Sequence, residues 1–568
     1  MRKQKWLLLL LVLVLTLSLA LTGCGKQDKP EPAATDDNQE EETKDDGEEK
    51  LAEEQILRVN WGSEPPDLDP QTTTDQVSFW IINAAYEGLV RLDKDGNVQP
   101  GLAEKWDEEE TEDGGVIYTF HLRDAKWSDG TPITAEDFEY SWFRAIDPEV
   151  AAEYSYQLTD TAGIKNAGKF FEGEITDKEE VGIKAVDEKT FQVELERNVP
   201  FFLSLTSFPT FIPAQKAALE EFGDAFASEA DKMVYSGPFV ISEWEHEQKL
   251  NLKKNENYWD AENVKLEEIH GDMITENNTA INLYETGELD VTGVAPEFLD
   301  NYKDSDEFEN LAEATTWYIQ YNCEDKYLKN QNLRYALSLA IDRQSFVDNV
   351  LANGSIVAEG LTPTLLPGKD GKEFAENRGD VLPEYDPEKA KEYLDKGLEE
   401  LGITKEELES HLTFLTGESD VAKKQAAAIQ NMWKQNLGIE AEIESVAFKI
   451  RIDRYNRMDY TTTFAGWGGD YNDPLTFMDL WVTDGGNNDT GWSNEKYDAA
   501  IKTAIEGEGD ERIDAMIEAE KVLAEELPII PIYYNARNFL EKPYVKGIAR
   551  FPVGADTDYK WAYIIEHE

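Results

Sequence analysis

The sequence predicts an α/β fold that is divided among more than one domain. Helical segments with one apolar face and strand segments with alternating apolar residues follow one another from residue 55 onward. The chain has 568 residues, which is more than one hydrophobic core commonly holds. Hydrophobic residues make up 40% of the chain and aromatic residues 11%, which is enough to form a core in each domain.

The first 54 residues differ in character from the rest. Residues 1–23 have a basic start and a leucine-rich apolar run, as an export signal does. The stretch Leu21-Thr22-Gly23-Cys24 resembles the lipobox of bacterial lipoproteins, which implies cleavage before Cys24 and a lipid on its sulfur. An uncleaved membrane helix is the alternative for the apolar run. Residues 24–54 are acidic and nearly without apolar side chains, so we expect a disordered tether.

Elements of the first half follow from periodicity and from capping residues. Val116, Tyr118, Phe120 and Leu122 alternate with more polar residues, which is the period of a half-buried strand. Thr134 and Asp137 resemble a capping box at the start of a helix. We expect strands at 56–61, 116–123, 190–195, 236–240 and 250–253, and helices at 76–89 and directly after 134.

The second half continues the mixture of helices and strands. An alanine-rich segment at 422–436 is followed by Gly438, a residue that commonly ends helices. Residues 528–534 read as a buried strand. We expect helices at 279–286, 332–351 and 422–436, and strands at 439–446 and 528–534.

Charge and cysteine content exclude several classes of function. The net charge is −63, and no basic patch of the kind that binds nucleic acid is present, so we exclude a nucleic-acid partner. The five histidines and two cysteines show no metal-ligand spacing, and neither a metal nor a cofactor is expected. If Cys24 carries lipid, Cys323 has no disulfide partner, and we expect it to be a small buried residue.

The stretch Ala465–Pro474 carries the strongest functional signal. It follows the strand-prone run Tyr460–Phe464 and contains three glycines, Trp467 and Asp470. Glycines allow a ligand to approach the backbone closely, and a carboxylate suits a positively charged group. An ordinary turn at the end of a strand is the alternative, because Gly, Asp, Asn and Pro are also turn residues.

Several long runs resemble a known family. They are Pro100–Trp106, Tyr118–Phe138, Asn332–Leu337 with Ala340–Arg343, and the stretch around Trp467. In order and spacing they are similar to family 5 of the extracellular solute-binding proteins, the oligopeptide- and dipeptide-binding lipoproteins of ABC importers. The resemblance spans roughly residues 55–540.

The resemblance implies an α/β fold of the periplasmic-binding-protein type II, with an extra domain and two lobes that close on a cleft by a hinge. Its domain boundaries would be 55–86, 213–314 and 539–568 for lobe I, 87–212 for the extra domain II, and 315–538 for lobe III. The function implied is capture of di- or oligopeptides outside the cell membrane and their delivery to a permease, without catalysis.

Site residues follow from the resemblance position by position. Asp470 matches the aspartate that pairs with the α-ammonium of the peptide. Gly466 and Gly468 match positions whose backbone binds the peptide, and Trp467 packs beside it. Tyr154 matches a tyrosine from the opposite lobe. A short segment that flanks the ligand matches Thr74, Asp75 and Gln76.

The chain also departs from the enterobacterial pattern. Phe464 stands where an arginine reaches peptide carboxylates, Phe448 stands where a tryptophan lines a pocket, and Ala422 stands where a histidine assists. Gly468 replaces a cysteine. Lys423 or Lys424 are candidate substitutes for the missing cations, with ordinary surface lysines as the alternative. Recognition of the peptide carboxylate is therefore undefined at this stage.

Other functions stay open at this point. A related binding protein for a sugar, a nickel chelate or a signalling peptide is one alternative, and Asp470 distinguishes it because a neutral sugar needs no carboxylate of this kind. A surface glycoside hydrolase is a remote alternative, since paired carboxylates occur by chance among 117 acidic residues. We expect a lipid-anchored monomer at the cell surface.

Overall fold

Alternation of β-branched and aromatic residues with polar ones produces the strands, and capped amphipathic segments produce the helices. The computed structural model describes residues 50–567 apart from Asp95, Asp113 and Gly486, without the side chains of Asp420, Phe448, Lys449, Ile452 and Asp453. The predicted signal segment, Cys24 and the tether up to residue 49 lie outside the described residues. The described residues form one compact unit.

The strands are distributed along the whole described chain. In chain order they are β1 (Ile56–Asn60), β2 (Val90–Leu92), β3 (Val98–Pro100), β4 (Ala103–Glu110), β5 (Val116–Leu122), β6 (Ile183–Asp187), β7 (Thr190–Leu195), β8 (Phe239–Glu245), β9 (Lys249–Lys254), β10 (Glu268–Asp272), β11 (Val291–Gly293), β12 (Phe308–Tyr321), β13 (Ile356–Val357), β14 (Thr413–Gly417), β15 (Glu442–Val446), β16 (Thr462–Gly468), β17 (Ile529–Glu541), β18 (Val545–Lys546), β19 (Ala549–Arg550), β20 (Thr557–Asp558) and β21 (Tyr563–Ile564).

Helices alternate with these strands. They span Gln76–Ala85, Ala135–Ala145, Ala167–Phe171, Phe202–Leu205, Lys216–Phe222, Asn277–Glu285, Leu299–Tyr302, Gln331–Leu339, Arg343–Phe346, Phe374–Arg378, Pro387–Leu401, Lys405–Glu409, Asp420–Leu437, Phe448–Asn456, Leu475–Met478, Glu495–Glu506 and Gly509–Glu526. Short 3₁₀ and π segments connect several of them.

A large mixed sheet runs through the molecule in the order β15-β14-β16-β12-β17-β11-β1-β10-β9-β8, and β13 also pairs with β17. The long strands β12 and β17 pair with each other antiparallel over most of their length. They connect the half of the sheet that holds β1 and β8–β11 to the half that holds β14–β16. Register shifts between Ala312 and Thr316 interrupt the pairing near the middle of β12.

A separate antiparallel sheet has the order β4-β5-β7-β6. Phe191 on its inner face packs against Phe138 and Trp142 of the helix Ala135–Ala145, and the ring of Phe120 on β5 packs against Phe191. That helix begins as the sequence predicts, because the Asp137 carboxylate accepts a hydrogen bond of 2.9 Å from the Thr134 backbone N–H. The helix thereby covers the inner face of this sheet at β7, and alternate residues of β5 are buried on the same sheet.

Most predicted elements are confirmed, and the corrections concern where helices begin and end. The predicted helix 332–351 is divided into Gln331–Leu339 and Arg343–Phe346, because Asp342 caps a new helix through the Ser345 N–H. The helix predicted to extend to 89 ends at Ala85. Gly438 closes its helix at a φ of 69°, as expected for a left-handed C-cap.

Three further expectations concern Cys323, membrane-spanning helices and metal ligands. Cys323 is free and partly buried, and burial raises the pKa of its thiol to about 11. None of the helices described is both long and apolar enough to cross a membrane. Among the described residues no group of His, Cys, Asp and Glu side chains could hold a metal ion.

Candidate functional site

The run Tyr460–Phe464 and the following glycines form β16, one edge of which is open. Antiparallel pairing with β12 covers one side of β16 from Thr462 to Gly468. On the other side, β14 pairs only with Thr462 and Thr463. In the described part of the chain, no strand continues this pairing beyond Thr463. Residues 464–468 therefore present a strand edge that another extended chain can pair with.

The direction of the backbone groups on this edge follows from the alternation of a strand. Arg451 Nη1 donates a 3.0 Å hydrogen bond to the carbonyl oxygen of Phe464, which places that carbonyl on the open side. Since every second residue directs its N–H and C=O to the same side, those of Gly466 and Gly468 point there too. The sequence-predicted glycines are thus at positions whose backbone is available to a ligand.

Packing against β12 also favours glycine at positions 466 and 468. A Cβ on Gly466 would lie 2.8 Å from the indole of Trp317, its cross-strand partner on β12. A Cβ on Gly468 would lie 3.2 Å from the Thr315 hydroxyl. Both glycines are exposed. The strand therefore needs Gly466 for its own packing as well as for access to the backbone.

Asp470 lies just beyond the end of the open edge and is 9% exposed. Its carboxylate accepts a 2.8 Å hydrogen bond from the hydroxyl of Tyr156 and a 3.5 Å contact from that of Tyr154. The backbone is held by the Asp470 N–H, which donates to the Thr476 hydroxyl at 3.0 Å. The carboxylate is thus contacted by two tyrosines from one distant segment of the chain, and the backbone is held by a nearby threonine.

Burial raises the pKa of the Asp470 carboxyl from its ordinary value of 3.8 to about 7, and the side chains of Tyr156, Gln157 and Tyr154 oppose this shift. Although the Gln157 amide lies near the carboxylate, its nitrogen and oxygen make no hydrogen bond of normal geometry within the described residues. A buried carboxyl with this pKa gains a large stabilisation when a cation binds, because the cation replaces the lost hydration.

The remaining residues predicted for this end lie close by. The ring of Tyr154 packs against Phe208 and Phe79, at 4.9 and 6.2 Å between centroids. Trp467 is partly buried, and no described group accepts a hydrogen bond from its indole nitrogen. This region is therefore polar, because it holds that donor, the two tyrosines and Asp470. Its hydrogen-bonding groups do not all have a partner among the described residues.

The segment predicted to flank the ligand has mixed roles. Thr74 is exposed. The Asp75 carboxylate caps the helix Gln76–Ala85 by accepting hydrogen bonds from the N–H and hydroxyl of Ser78. Gln76 donates to the Gly554 carbonyl at 3.1 Å, and the Gly554 N–H donates to the Gly469 carbonyl at 2.8 Å. Gln76 is therefore connected to the backbone directly before Asp470.

The positions that depart from the enterobacterial pattern are apolar here. Phe464 is 5% exposed, and its ring packs against Trp317 and Phe346, so it contributes only backbone groups to the open edge. Ala422 lies in the first turn of the helix Asp420–Leu437. Phe448 begins the helix Phe448–Asn456, and its side chain lies outside the described residues. The Lys424 ammonium donates to the Val350 carbonyl, and Lys423 is exposed.

Sequence reasoning missed several groups around Asp470. Tyr156 and Gln157 follow Tyr154 closely, and that spacing was the available signal. Burial raises the pKa of Asp479 to about 8, and the nearby Asp470 and Asp473 add to the rise. Arg512 neutralises Asp473 through two hydrogen bonds of 2.6 and 2.7 Å.

A cavity of about 460 Å³ adjoins Asp470. Its wall mixes aromatic side chains with polar ones and includes Phe201, Phe208, Leu365 and Asn472. Leu365 has a φ of 79°, a strained conformation for a leucine. The wall does not include Trp467, Tyr154 or Gln76, so most of the predicted site lies outside this cavity.

Comparison with known proteins gives the family. The profile of "Bacterial extracellular solute-binding proteins, family 5 Middle" matches residues 97–489, which is more than half of the chain. The chain belongs to family 5 of these binding proteins. Family 5 relatives include the oligopeptide-binding protein OppA of Bacillus subtilis, 35% identical over 517 residues that cover 89% of this chain and 92% of the relative.

A second relative and one solved structure agree with this assignment to family 5. The dipeptide-binding protein DppE of Bacillus subtilis is 33% identical over 518 residues and covers 90% of this chain and 92% of its own. The structure of Listeria monocytogenes OppA bound to peptide superposes with a TM-score of 0.83 at 35% identity, over 91% of this chain and all of that chain. The predicted α/β fold of the periplasmic-binding-protein type II is thereby confirmed.

Proposed function

We propose that this protein captures di- and oligopeptides outside the cytoplasmic membrane and delivers them to the permease of an ABC importer. The observation that carries the proposal is the open edge of β16 next to the buried carboxylate of Asp470. The names of the two Bacillus relatives and the peptide in the Listeria structure support it.

An extended peptide suits this edge because its backbone is the feature that all peptides share. Main-chain hydrogen bonds to Gly466 and Gly468 would add the peptide as a strand, and Asp470 would pair with its α-ammonium. A hydrogen bond to a charged group contributes about 1.5–3 kcal/mol. Affinity would then depend on the backbone and the free amino end more than on side-chain sequence.

Other predicted residues complete the ligand site in this proposal. Tyr154 contacts the first peptide units beside Asp470, and Trp467 packs along the chain. Gln76, with Thr74 and Asp75, forms the flank on the other side through its bond to Gly554. Phe464 contributes its backbone, and Phe448 lines a pocket further along.

Closure of lobes around the ligand is part of the proposal. Lobe I comprises 55–86, 213–314 and 539–568, the extra domain II comprises 87–212, and lobe III comprises 315–538. The strands β12 and β17 pass between lobes I and III, and the register shift in β12 offers a place for a hinge. Tyr154 and Tyr156 of domain II contact Asp470 of lobe III, so closure brings both sides onto the ammonium.

Anchoring at the cell surface is proposed from the sequence. Residues 1–23 direct export, Cys24 carries palmitate-containing lipid, and the acidic tether separates a monomeric binding unit from the membrane. Mass spectrometry of the native protein tests this, since a Cys24→Ala variant should lack the lipid. An unmodified, uncleaved amino terminus in the wild type would overturn the anchor without affecting peptide binding.

Calorimetry tests the peptide function. The purified chain is titrated with a mixed library of free-amino peptides, with maltooligosaccharides and with a nickel chelate. We expect heat from the peptides alone and recovery of intact peptide afterwards. Binding of the sugar or chelate without any peptide would overturn the proposal, and shortened peptides or cleaved sugars would indicate an enzyme.

A further inference from the structure

A stacked pair of aromatic rings joins the segment 87–212 to the region that follows β16. Phe201 lies directly before the helix Phe202–Leu205, and Tyr471 comes directly after Asp470. Their ring centroids are 4.5 Å apart and their planes differ by 10°. Phe201 is 8% exposed and Tyr471 is 2% exposed. In the proposed division of the chain, this contact connects domain II with lobe III.

Arg512 completes the surface of lobe III that receives the ring of Phe201. Its guanidinium lies 5.5 Å from the centroid of that ring. Two hydrogen bonds of 2.6 and 2.7 Å to the Asp473 carboxylate hold the guanidinium in place. The Tyr471 hydroxyl donates a 3.0 Å hydrogen bond to the Asp479 carboxylate. All of these bonds lie within lobe III, so the receiving surface can keep them when Phe201 leaves it.

The neighbouring residues fix the position of Phe201 in domain II. Phe202 is fully buried, and its ring packs against Tyr118 of β5 at 4.8 Å between centroids. The Phe201 carbonyl accepts hydrogen bonds from the Leu205 N–H and the Ser204 hydroxyl, at 2.9 and 2.8 Å. Two consecutive phenylalanines therefore pack against different domains, Phe202 in the core of domain II and Phe201 on lobe III.

The Phe201 contact differs in kind from the contact that Tyr156 makes with lobe III. Tyr156 donates a hydrogen bond to the Asp470 carboxylate, the group proposed to pair with the peptide ammonium. The stacked rings belong to no residue of the proposed ligand site. Separating them would break no hydrogen bond of the two side chains and would expose apolar surface to water. The contact can therefore stabilise the closed arrangement equally for every peptide.

Comparison with one relative indicates which arrangement contains this contact. The structure of the Escherichia coli murein tripeptide binding protein MppA superposes with a TM-score of 0.80 at 29% identity, over 91% of this chain and all of that chain. The unliganded open form of MppA superposes with a TM-score of 0.64 at 30% identity, over 91% of this chain and 99% of that chain. The domains of this chain are thus arranged less like that open form.

We infer that Phe201 is a positioning residue for closure, whose ring docks against Tyr471 and Arg512 when the lobes close and stabilises the closed complex equally for all peptides. The inference rests on the proposed peptide function and its lobe closure. It names a contact outside the ligand site that contributes to the affinity for every peptide. Because the contact acts in the closed arrangement, its loss should speed dissociation of the peptide more than it slows association.

The test measures Phe201→Ala by calorimetry and stopped-flow kinetics on the full chain, with tri- to pentapeptides in free-amino and N-acetylated forms. Every affinity should fall by the same factor of about ten, which is about 1.4 kcal/mol, and the dissociation rate should rise correspondingly. Phe201→Tyr keeps the ring and should bind as the wild type does. An unchanged number of binding sites per molecule separates weaker closure from a loss of folded protein.

If Phe201→Ala loses binding sites, Phe201→Leu carries the same test, because it keeps an apolar side chain without the stacked ring. We expect a uniform loss of about threefold, as an aromatic pair contributes beyond the area it buries.

Phe170→Ala is the matched control, since the Phe170 ring packs against Phe143 within domain II at 5.4 Å between centroids. It should leave peptide affinity unchanged. Unchanged affinity in the Phe201 variants, slower association in place of faster dissociation, or a loss confined to free-amino peptides would overturn the role of Phe201 while leaving the peptide function intact. Failure of every peptide to bind the wild type would overturn the peptide function and this role together.

Discussion

At the scale of single residues, Asp470 is the main candidate for binding a charged ligand group. Its carboxylate is buried, it is contacted by the hydroxyls of Tyr154 and Tyr156, and its pKa is raised to about 7. The same burial that makes the charge costly in the free protein makes it a strong partner for an ammonium group. Two predictions follow from this residue alone.

Replacing Asp470 by Asn should weaken free-amino peptides about tenfold or more, since each decade is about 1.4 kcal/mol. N-acetylated peptides should bind almost as well as they do to the wild type, because they lack the positive charge. Calorimetry with the two peptide forms measures this. Asp479→Asn, which removes a neighbouring buried carboxyl, is the control, and equal losses for both peptide forms in Asp470→Asn would contradict the ammonium role.

Peptide affinity should fall as the pH is lowered through about 7, because the Asp470 carboxyl of the free protein then holds a proton. The groups that face this carboxyl are the hydroxyls of Tyr154 and Tyr156 and the Gln157 amide, and neither tyrosine ionises in this range because burial raises the pKa of both. Titrations in buffers of different ionisation enthalpy should show proton release near neutral pH. An identical pH profile in Asp470→Asn would argue against this assignment.

At the scale of elements, β16 combines a structural and a binding role. Its pairing with β12 extends to Gly468, whereas its pairing with β14 stops at Thr463. The difference in length between these two ladders creates the open edge. Trp317 covers the face of Gly466 and packs against the rings of Phe464 and Tyr533, so this part of the strand has little room to adjust.

Gly466→Ala should destabilise the protein by about 1–3 kcal/mol, the usual range for overpacking. The new methyl group would lie 2.8 Å from the indole of Trp317, which is itself held in an aromatic stack. Chemical denaturation measures the change. Gly468→Ala, whose methyl group would lie 3.2 Å from the Thr315 hydroxyl, should cost clearly less. An equal cost for the two variants would mean that Trp317 moves freely.

At the scale of the whole molecule, the buried ionisable side chains fall into two classes. Some are neutralised inside the protein, as Arg512 neutralises Asp473 and Arg91 neutralises Asp558. Others keep a proton instead, because burial raises the pKa of Asp470 and Asp489 to about 7 and that of Asp479 to about 8. The three carboxyls that keep a proton lie around the proposed ligand site.

The free protein should therefore lose stability as the pH rises from about 4 to about 8. In this interval the folded protein keeps protons on these carboxyls that the unfolded chain has released, so the free energy of unfolding falls with increasing pH. Thermal unfolding at a series of pH values measures the trend, and Asp479→Asn should flatten it. A saturating free-amino peptide should restore stability near neutral pH, and a constant melting temperature across the range would contradict the prediction.

Much of this could be predicted from the sequence because it depends on local chemistry. Thr134 and Asp137 cap a helix, Gly438 ends one, and the alternation at 116–122 forms a strand, each through contacts within a few residues. The long runs that resemble family 5 fixed the fold and directed attention to Asp470. The division of the helix predicted at 332–351 was missed because Asp342 favours a new N-cap over continuation.

Only the tertiary structure decided which groups meet. Tyr156 and Asp470 are 314 residues apart in the chain, and their hydroxyl and carboxylate lie 2.8 Å apart. Arg451 and the Phe464 carbonyl are brought together by the packing of a helix beside a strand end, which no local pattern signals. Sequence determined the residue types and the elements because these depend on near neighbours. The open edge with a buried carboxylate beside it depends on where strand pairing stops, and that is set by the whole sheet.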